Sequence, residues 1–325
     1  MRNKIIKVIL NNKDNFISGE DLSNKLGISR TAVWKHIKKL KEEGYNIESV
    51  NKKGYRLESF PGDLLTSENI KYNLQTEMIG DNIHHLQTID STNEYLKRIG
   101  DKSTDGTVVI SEEQTRGKGR MGRTWQSNSG EGIWMSLLLK PNIIPFKAPF
   151  ITLVAGVSVV TALRKLNVPA QIKWPNDIIL NDKKICGILT ELSAEIERVN
   201  YIIVGMGMNV KNMYFSDELE HKATSLYKEG YILQRVDIVD EILYEFEKNY
   251  IDYIENDNKE HVLNLFRQYS NIINKEIYLI TNDKRELVTC IDINDSGNLI
   301  VKDKDNNIRE IMSGEVSIRG INGYI

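Results

Sequence analysis

The sequence predicts an α+β protein in three parts: N-terminal helices with a hairpin, a large middle region of alternating strands and helices, and a C-terminal run of short strands. Apolar residues keep helical spacing near the N-terminus and then give way to two strand-like runs. From residue 63 to about 270 the period switches repeatedly, which argues a mixed sheet flanked by helices. From residue 271 onward, turn clusters separate short β-type runs, the mark of a small β-barrel.

Composition bounds the possibilities. A chain of 325 residues, 40% hydrophobic and 27% charged, is an ordinary globular protein of two or three domains. No basic run followed by an apolar stretch opens the sequence, so a secretory leader is not expected and the cytoplasm is the expected compartment. The most apolar stretch, 148–163, is interrupted by Pro149, Thr152, Ser158 and Thr161. It falls short of the roughly 20 apolar residues of a spanning helix and reads as a buried helix, with no membrane involved. Two cysteines, Cys186 and Cys290, are too few for a disulfide framework or a zinc site, and five scattered histidines complete no metal cluster. The net charge of -2 hides an asymmetry: residues 1–60 hold 13 Lys+Arg against 7 Asp+Glu, so this part carries +6 and the remainder -8. Such a basic segment attracts a polyanion.

In the first part, Ser18-Gly19-Glu20-Asp21 starts a helix with Leu22 and Leu26 on one face, and Gly27 ends it. Ser29 opens a second helix whose core face is Val33, Ile37 and Leu40. That leaves Ser29, Arg30, Thr31, Trp34, Lys35, Lys38 and Lys39 to face outward, as a helix entering the major groove requires. Two short strands around Asn51-Lys52-Lys53-Gly54 form a basic wing. The pattern is a winged helix-turn-helix over 1–62, with Lys52 and Lys53 added to the DNA-contacting set; a plain basic bundle lacks this combination of turn and wing. A linker follows at Ser59-Phe60-Pro61-Gly62-Asp63. The middle part, 63–270, has strands over 106–111, 132–139, 170–173, 184–193 and 200–209, and helices over 94–99, 150–166 and 236–256. The last part, 271–325, turns at Thr281-Asn282-Asp283 and Asn294-Asp295-Ser296-Gly297-Asn298.

Four motifs carry chemistry. In the loop from Gln114 to Trp125, glycines alternate with Arg116, Lys118, Arg120 and Arg123, so backbone N–H groups approach an anion while cations neutralise it. The spacing fits neither a Walker A loop nor the dinucleotide fingerprint. Lys173-Trp174-Pro175-Asn176-Asp177 reads as the turn of a hairpin whose return strand begins Lys183-Lys184, a lysine placed to hold phosphoryl charge. Asp90-Ser91-Thr92-Asn93 is either a simple cap for a helix starting at Glu94 or a set of polar ligands for a small molecule. Gly205-Met206-Gly207-Met208-Asn209 is a strand needing close packing or a floor for an apolar ligand.

These four motifs in this order, between a winged helix-turn-helix and a small barrel, closely resemble the bifunctional biotin protein ligases that double as biotin operon repressors. The likeness covers nearly the whole chain. It implies a central domain like that of the class II aminoacyl-tRNA synthetases and an SH3-like barrel at the end. It also implies an enzyme that uses ATP, biotin and Mg2+ to form biotinyl-5'-AMP and then biotinylates a lysine of a biotin carboxyl carrier protein. By the resemblance, Ser91, Thr92, Asn93, Gln114, Arg116, Lys118, Gly119, Arg120, Trp125, Lys184, Gly207 and Asn209 contact biotin or the adenylate. Arg123, Asn176 and Arg319 serve ATP, and Lys184, Arg120, Lys118 and Asp177 are the catalytic set. Where the family usually has arginine this loop has Lys118, which keeps the charge and loses the bidentate fork. Operator DNA and an adenylate-bound homodimer are the implied partners. A lipoate or octanoate ligase, or a transcription factor that only senses a metabolite, are the competing readings; the Lys-Trp-Pro-Asn-Asp run and the intact cation set weigh against them.

Overall fold

The computed structural model describes residues 1–12, 15–42, 44–59, 63–281, 284–313 and 317–320, and the chain divides into two compact units, Met1–Leu74 and Gln75–Ile325. The expected linker residues 60–62 and the turn residues 282–283 lie outside the described residues.

The first unit contains α1 (Arg2–Leu10), α2 (Gly19–Leu26), α3 (Arg30–Glu42), the strands β1 (Asn46–Val50) and β2 (Gly54–Ser59), and α4 (Ser67–Asn73). Its local signals act as expected. The Ser18 hydroxyl accepts the Asp21 N–H at 3.0 Å, Gly27 closes α2 at φ 64°, and the Ser29 hydroxyl accepts the Ala32 N–H at 3.2 Å. Ile5, Ile9, Leu22, Val33, Ile37, Leu40 and Ile47 bury one core among these elements. The wing is an antiparallel pair, and Gly54 at its turn has φ 113° with the Ile17 carbonyl 2.0 Å from where a Cβ would stand, so no other residue fits there. The unit also extends past the sequence-derived boundary at 62, because α4, capped by Thr66, packs with it.

The second unit is built on a seven-stranded sheet in the order β3-β4-β5-β9-β8-β7-β6. Its strands are β3 (Ile83–Ile89), β4 (Thr107–Gln114), β5 (Gly132–Leu139), β6 (Gln171–Lys173), β7 (Asp177–Leu180), β8 (Lys183–Ala194) and β9 (Val199–Asn209). Only β3 and β4 are parallel among these neighbours. The helices are α5 (Thr92–Ile99), α6 (Phe150–Lys165), α7 (Asp217–Glu220), α8 (Arg235–Asn256) and α9 (Glu260–Tyr269). α6 is apolar all round because it is enclosed; it packs on α8, α9 and β8, and Asn249 Nδ2 donates to the Ser158 hydroxyl at 3.0 Å across the helix pair. Together with the short turn before it, the stretch Pro145–Lys165 is long and apolar enough to cross a bilayer, yet most of it is buried in this core.

The C-terminal strands β10 (Glu276–Thr281), β11 (Lys284–Ile293), β12 (Leu299–Lys302), β13 (Ile308–Ile311) and β14 (Ser317–Gly320) form a five-stranded antiparallel sheet in the order β13-β12-β11-β10-β14, consistent with an SH3-like domain. It is fastened to the rest of its unit: Trp174 Nε1 donates to the Gly297 carbonyl at 2.9 Å, and Arg267 Nε donates to Asp292 Oδ1 at 2.9 Å.

One expected feature is corrected. The Lys173–Asp177 turn joins β6 to β7, not to the strand beginning at Lys183. A second tight turn, with Asn181 and Asp182 both at positive φ, then leads into β8, so the region is two successive hairpins.

Candidate active site

A cavity of about 510 Å³ opens where β8 and β9 meet the end of β4, the start of α5 and the β6–β7 turn. Its floor is glycine. Gly187 and Gly207 stand opposite each other in the β8–β9 pair, and the Trp125 indole lies on both. A Cβ on Gly207 would come 2.6 Å from Trp125 Nε1, and one on Gly187 would come 2.9 Å from Trp125 Cζ3. Two positions earlier, a Cβ on Gly205 would fall 2.2 Å from Asn93 Oδ1. The spacing in the Gly205–Asn209 motif therefore makes room for two side chains from other elements.

One end of the cavity is polar and uncharged. α5 starts at Thr92, earlier than expected, and the Ser91 hydroxyl makes no capping bond. The free N–H at the helix start is satisfied instead by Gln114, whose Oε1 accepts from the Thr92 N–H at 2.9 Å and from the Thr92 hydroxyl at 3.2 Å. Gln114 Nε2 donates to the Ser127 hydroxyl at 2.9 Å, and the Ser136 hydroxyl donates to Asn93 Oδ1 at 2.6 Å. Asn93 Nδ2 reaches Glu191 Oε2 at 2.8 Å. Ser91, Thr92 and Asn93 are all buried, so this network presents fixed donors and acceptors to whatever enters.

The other end is cationic. Lys184 Nζ lies 2.5 Å from Asp177 Oδ1 and 5.1 Å from the centre of the Trp125 ring, so the lysine is held between a carboxylate and an aromatic face. Lys173, across the β6–β7 pair from Asp177, is buried, and burial brings its amine down to about 7. Burial likewise pushes the Cys186 thiol on β8 up to about 12, which leaves it an inert core group. Arg120 donates from its NH1 to Asn176 Oδ1 at 2.9 Å and from its NH2 to the Ser313 carbonyl. Burial lowers its pKa from the usual arginine value. Arg123 and, from the C-terminal sheet, Arg319 also line the cavity.

The glycine-rich loop closes on itself: Gly119 N–H donates to the Arg123 carbonyl at 2.7 Å and Trp125 N–H to the Gly117 carbonyl at 2.8 Å. A Cβ on Gly117 would meet the Trp125 carbonyl at 2.4 Å. Lys118 lines the cavity while pairing with Glu94 Oε1 at 2.7 Å. Arg116 is the exception among the expected contacts: it is exposed and is not among the residues lining the cavity. Asn209 lines the cavity and donates to the Thr224 carbonyl at 3.1 Å, which ties down the segment after β9. That segment brings Phe215, Leu219 and Lys222 to the rim, residues with no recognisable motif. Among the described residues no group of three His, Cys, Asp or Glu is placed to hold a metal ion.

In the other unit, Ser29, Arg30, Thr31, Trp34, Lys35, Lys38, Lys39, Lys52 and Lys53 are all exposed. The Ser29 hydroxyl is used by its helix cap, and the Lys38 ammonium sits 5.8 Å from the Trp34 ring centre. Trp34 remains 55% exposed, an unusual cost for a large aromatic on a basic helix.

Residues 86–209 match the biotin/lipoate A/B protein ligase family, residues 1–56 an HTH domain, and residues 272–319 the biotin protein ligase C-terminal domain. The chain is 38% identical to the bifunctional ligase/repressor BirA of Bacillus subtilis over 98% of each protein. It belongs to the bifunctional biotin ligase/repressor family. The BirA relative from Escherichia coli is 32% identical over 97% of this chain and 96% of its own length. Among solved structures, a biotin protein ligase from Aquifex aeolicus in complex with biotin and ATP superposes with a TM-score of 0.65 at 29% identity, covering 74% of this chain and 99% of that one. The biotin ligase family thus accounts for the catalytic and C-terminal sheets, and the repressor relatives for the added N-terminal unit.

Proposed function

We infer that the chain is an ATP-dependent biotin protein ligase and a biotin-responsive, DNA-binding repressor of biotin genes. The observation that carries the ligase reading is the polarity of the cavity: a neutral hydrogen-bonding end at Ser91, Thr92, Asn93 and Gln114, an apolar and glycine floor, and a cationic end at Lys184, Arg120, Arg123 and Arg319. Biotin has that polarity, with a ureido group, an apolar ring and chain, and a carboxylate. The ureido end meets the neutral network, the ring lies beside Trp125 over Gly207, and the carboxylate reaches Lys184.

In the first step a carboxylate oxygen of biotin attacks the α-phosphorus of ATP, the bond to the bridging oxygen breaks, and pyrophosphate leaves. Two anions must meet, so Lys184, Arg120 and Lys118 supply positive potential that strengthens as charge builds on phosphorus, each contact contributing on the order of 3 kcal/mol in the transition state. Arg123, Asn176 and Arg319 hold the nucleotide, which arrives as its Mg2+ complex. In the second step the neutral ε-amine of a carrier-protein lysine attacks the acyl carbon, AMP departs, and the amine loses a proton. Asp177 orients that amine and accepts the proton.

The repressor reading rests on the exposed basic face of α3 and the Lys52-Lys53 wing. Bound adenylate orders the loops of the ligase unit, favours a homodimer, and so presents two winged helices to two operator half-sites. Two buried free thiols suit a reducing compartment, and the protein works in the cytoplasm. Labelled biotin incubated with ATP and a biotin carboxyl carrier domain tests the enzyme: acid-stable label on the carrier lysine is expected. Transfer of lipoate instead of biotin, or of neither, overturns the reading.

A further inference from the structure

Lys118 and the neutral end of the cavity are joined by a line of ion pairs that neither step uses. The Lys118 ammonium lies 2.7 Å from Glu94 Oε1, in the first turn of α5. The same oxygen takes Lys97 Nζ at 2.9 Å, and Lys97 reaches on to Glu191 Oε1 of β8 at 2.7 Å. The second oxygen of Glu191 accepts from Asn93 Nδ2 at 2.8 Å, and Asn93 Oδ1 accepts from the Ser136 hydroxyl of β5 at 2.6 Å. Sheet, helix and glycine-rich loop are tied in one series, with carboxylates and cations alternating along its outer part.

The series matters because of the cation the loop carries. A guanidinium is a planar fork, whereas an ammonium is a point charge on a flexible four-carbon stem, and its direction has to come from its surroundings. The main chain of Lys118 pairs with Thr124 inside the loop, which leaves the position of the ammonium to Glu94, a residue outside it. The Glu94 carboxylate is itself braced by Lys97, and Lys97 by Glu191. Lys118 first, and then Lys97, hold the Glu94 carboxyl below its usual range, so the pair stays charged around neutral pH. An ammonium has three N–H groups, so one bond to Glu94 leaves donors for a ligand in the cavity that Lys118 lines. Pairs as exposed as this one add little to stability. Its use is to give direction.

We propose that Glu94 is a positioning residue for the first step: through its ion pair it aims the Lys118 ammonium at the charge that develops between the biotin carboxylate and the α-phosphate. The proposal rests on the cavity being an acyl-adenylate site. Glu94 is not among the residues that line the cavity, so it acts through Lys118 and not on the substrates. The branch through Glu191 to Asn93 serves the neutral end and does not need Glu94, which separates the two effects in an experiment.

The test is a double-mutant cycle on the full chain, read as single-turnover release of pyrophosphate at saturating biotin and ATP. Glu94→Gln keeps the shape of the side chain and removes its charge. It is expected to slow adenylate formation about fivefold, the upper range for the coupling of one such pair, while the unfolding temperature and the affinity for biotin stay at parental values. In a Lys118→Met background the same substitution is expected to cause no further loss, because no ammonium is left to aim. A purely structural role for Glu94 gives the same loss in both backgrounds and a lower unfolding temperature. That outcome, or a parental rate in Glu94→Gln, overturns the proposal while leaving the ligase reading intact. A parent that releases no pyrophosphate from biotin and ATP rejects both.

Discussion

Gly207 lies beneath the indole of Trp125 so closely that a Cβ on the glycine would stand 2.6 Å from Trp125 Nε1. Trp125 is carried by the glycine-rich loop, Gly207 by the central sheet, so this approach couples the loop to the floor of the cavity. Gly207→Ala is expected to tilt Trp125 off the floor, raise KM for biotin at least tenfold, and cost about 1–3 kcal/mol of stability from overpacking. Steady-state kinetics with thermal unfolding check it; a KM within twofold of the parent contradicts the placement of the ring.

Arg120 joins the loop to both neighbours, bonding Asn176 in the β6–β7 turn and the carbonyl of Ser313. Arg120→Ala should release the closed loop and let biotinyl-adenylate escape, with dissociation faster by roughly tenfold or more, since a charge-assisted hydrogen bond contributes about 1.5–3 kcal/mol. Chase of labelled adenylate from the enzyme measures it. Equal retention by variant and parent is the contrary result.

Away from the cavity, Glu112 and Arg235 form a buried ion pair at 2.8 Å, with His85 at 3.7 Å from the other carboxylate oxygen. Against the opposing effect of burial, these partners bring the Glu112 carboxyl down to about 2. A carboxylate lowered on folding adds stability above its unfolded value, here 4.5, and that stability is lost as pH falls toward 2. Arg235→Met should therefore destabilise the fold at pH 7 by about 3–5 kcal/mol, with the gap to the parent narrowing across that acid window. Urea unfolding at a series of pH values follows it.

On α3, the exposed Trp34 stands among lysines on the face proposed to meet operator DNA. Trp34→Ala is expected to weaken operator binding by about 1–3 kcal/mol while biotinylation stays at the parental rate. Lys38→Ala should instead weaken specific and non-specific DNA alike and flatten the salt dependence. Fluorescence anisotropy at several salt concentrations separates the two effects.

How much of this was legible depends on how local the signal is. The loop from Gln114 to Trp125 and the Lys173–Asp177 turn declare themselves because glycines, prolines and charges act over a few residues. β7 escaped because its exit is only the Asn181-Asp182 pair, and four apolar residues do not show a period. Ser91 looked like a cap; only the folded position of Gln114 shows that the helix start is satisfied from across the sheet. Phe215 and Lys222 reach the rim through tertiary bonds such as Asn209 to Thr224, which no spacing announces. Arg116 shares the loop's composition yet faces solvent, and Lys173 gives no hint in the motif of its burial.

The central claim is that Lys184 stabilises the meeting of carboxylate and phosphate. Single-turnover release of pyrophosphate by Lys184→Ala, at saturating biotin and ATP, tests it most directly. A loss of about 100- to 1000-fold in the rate of adenylate formation is expected from removing one preorganised cation. A rate within twofold of the parent would contradict the account.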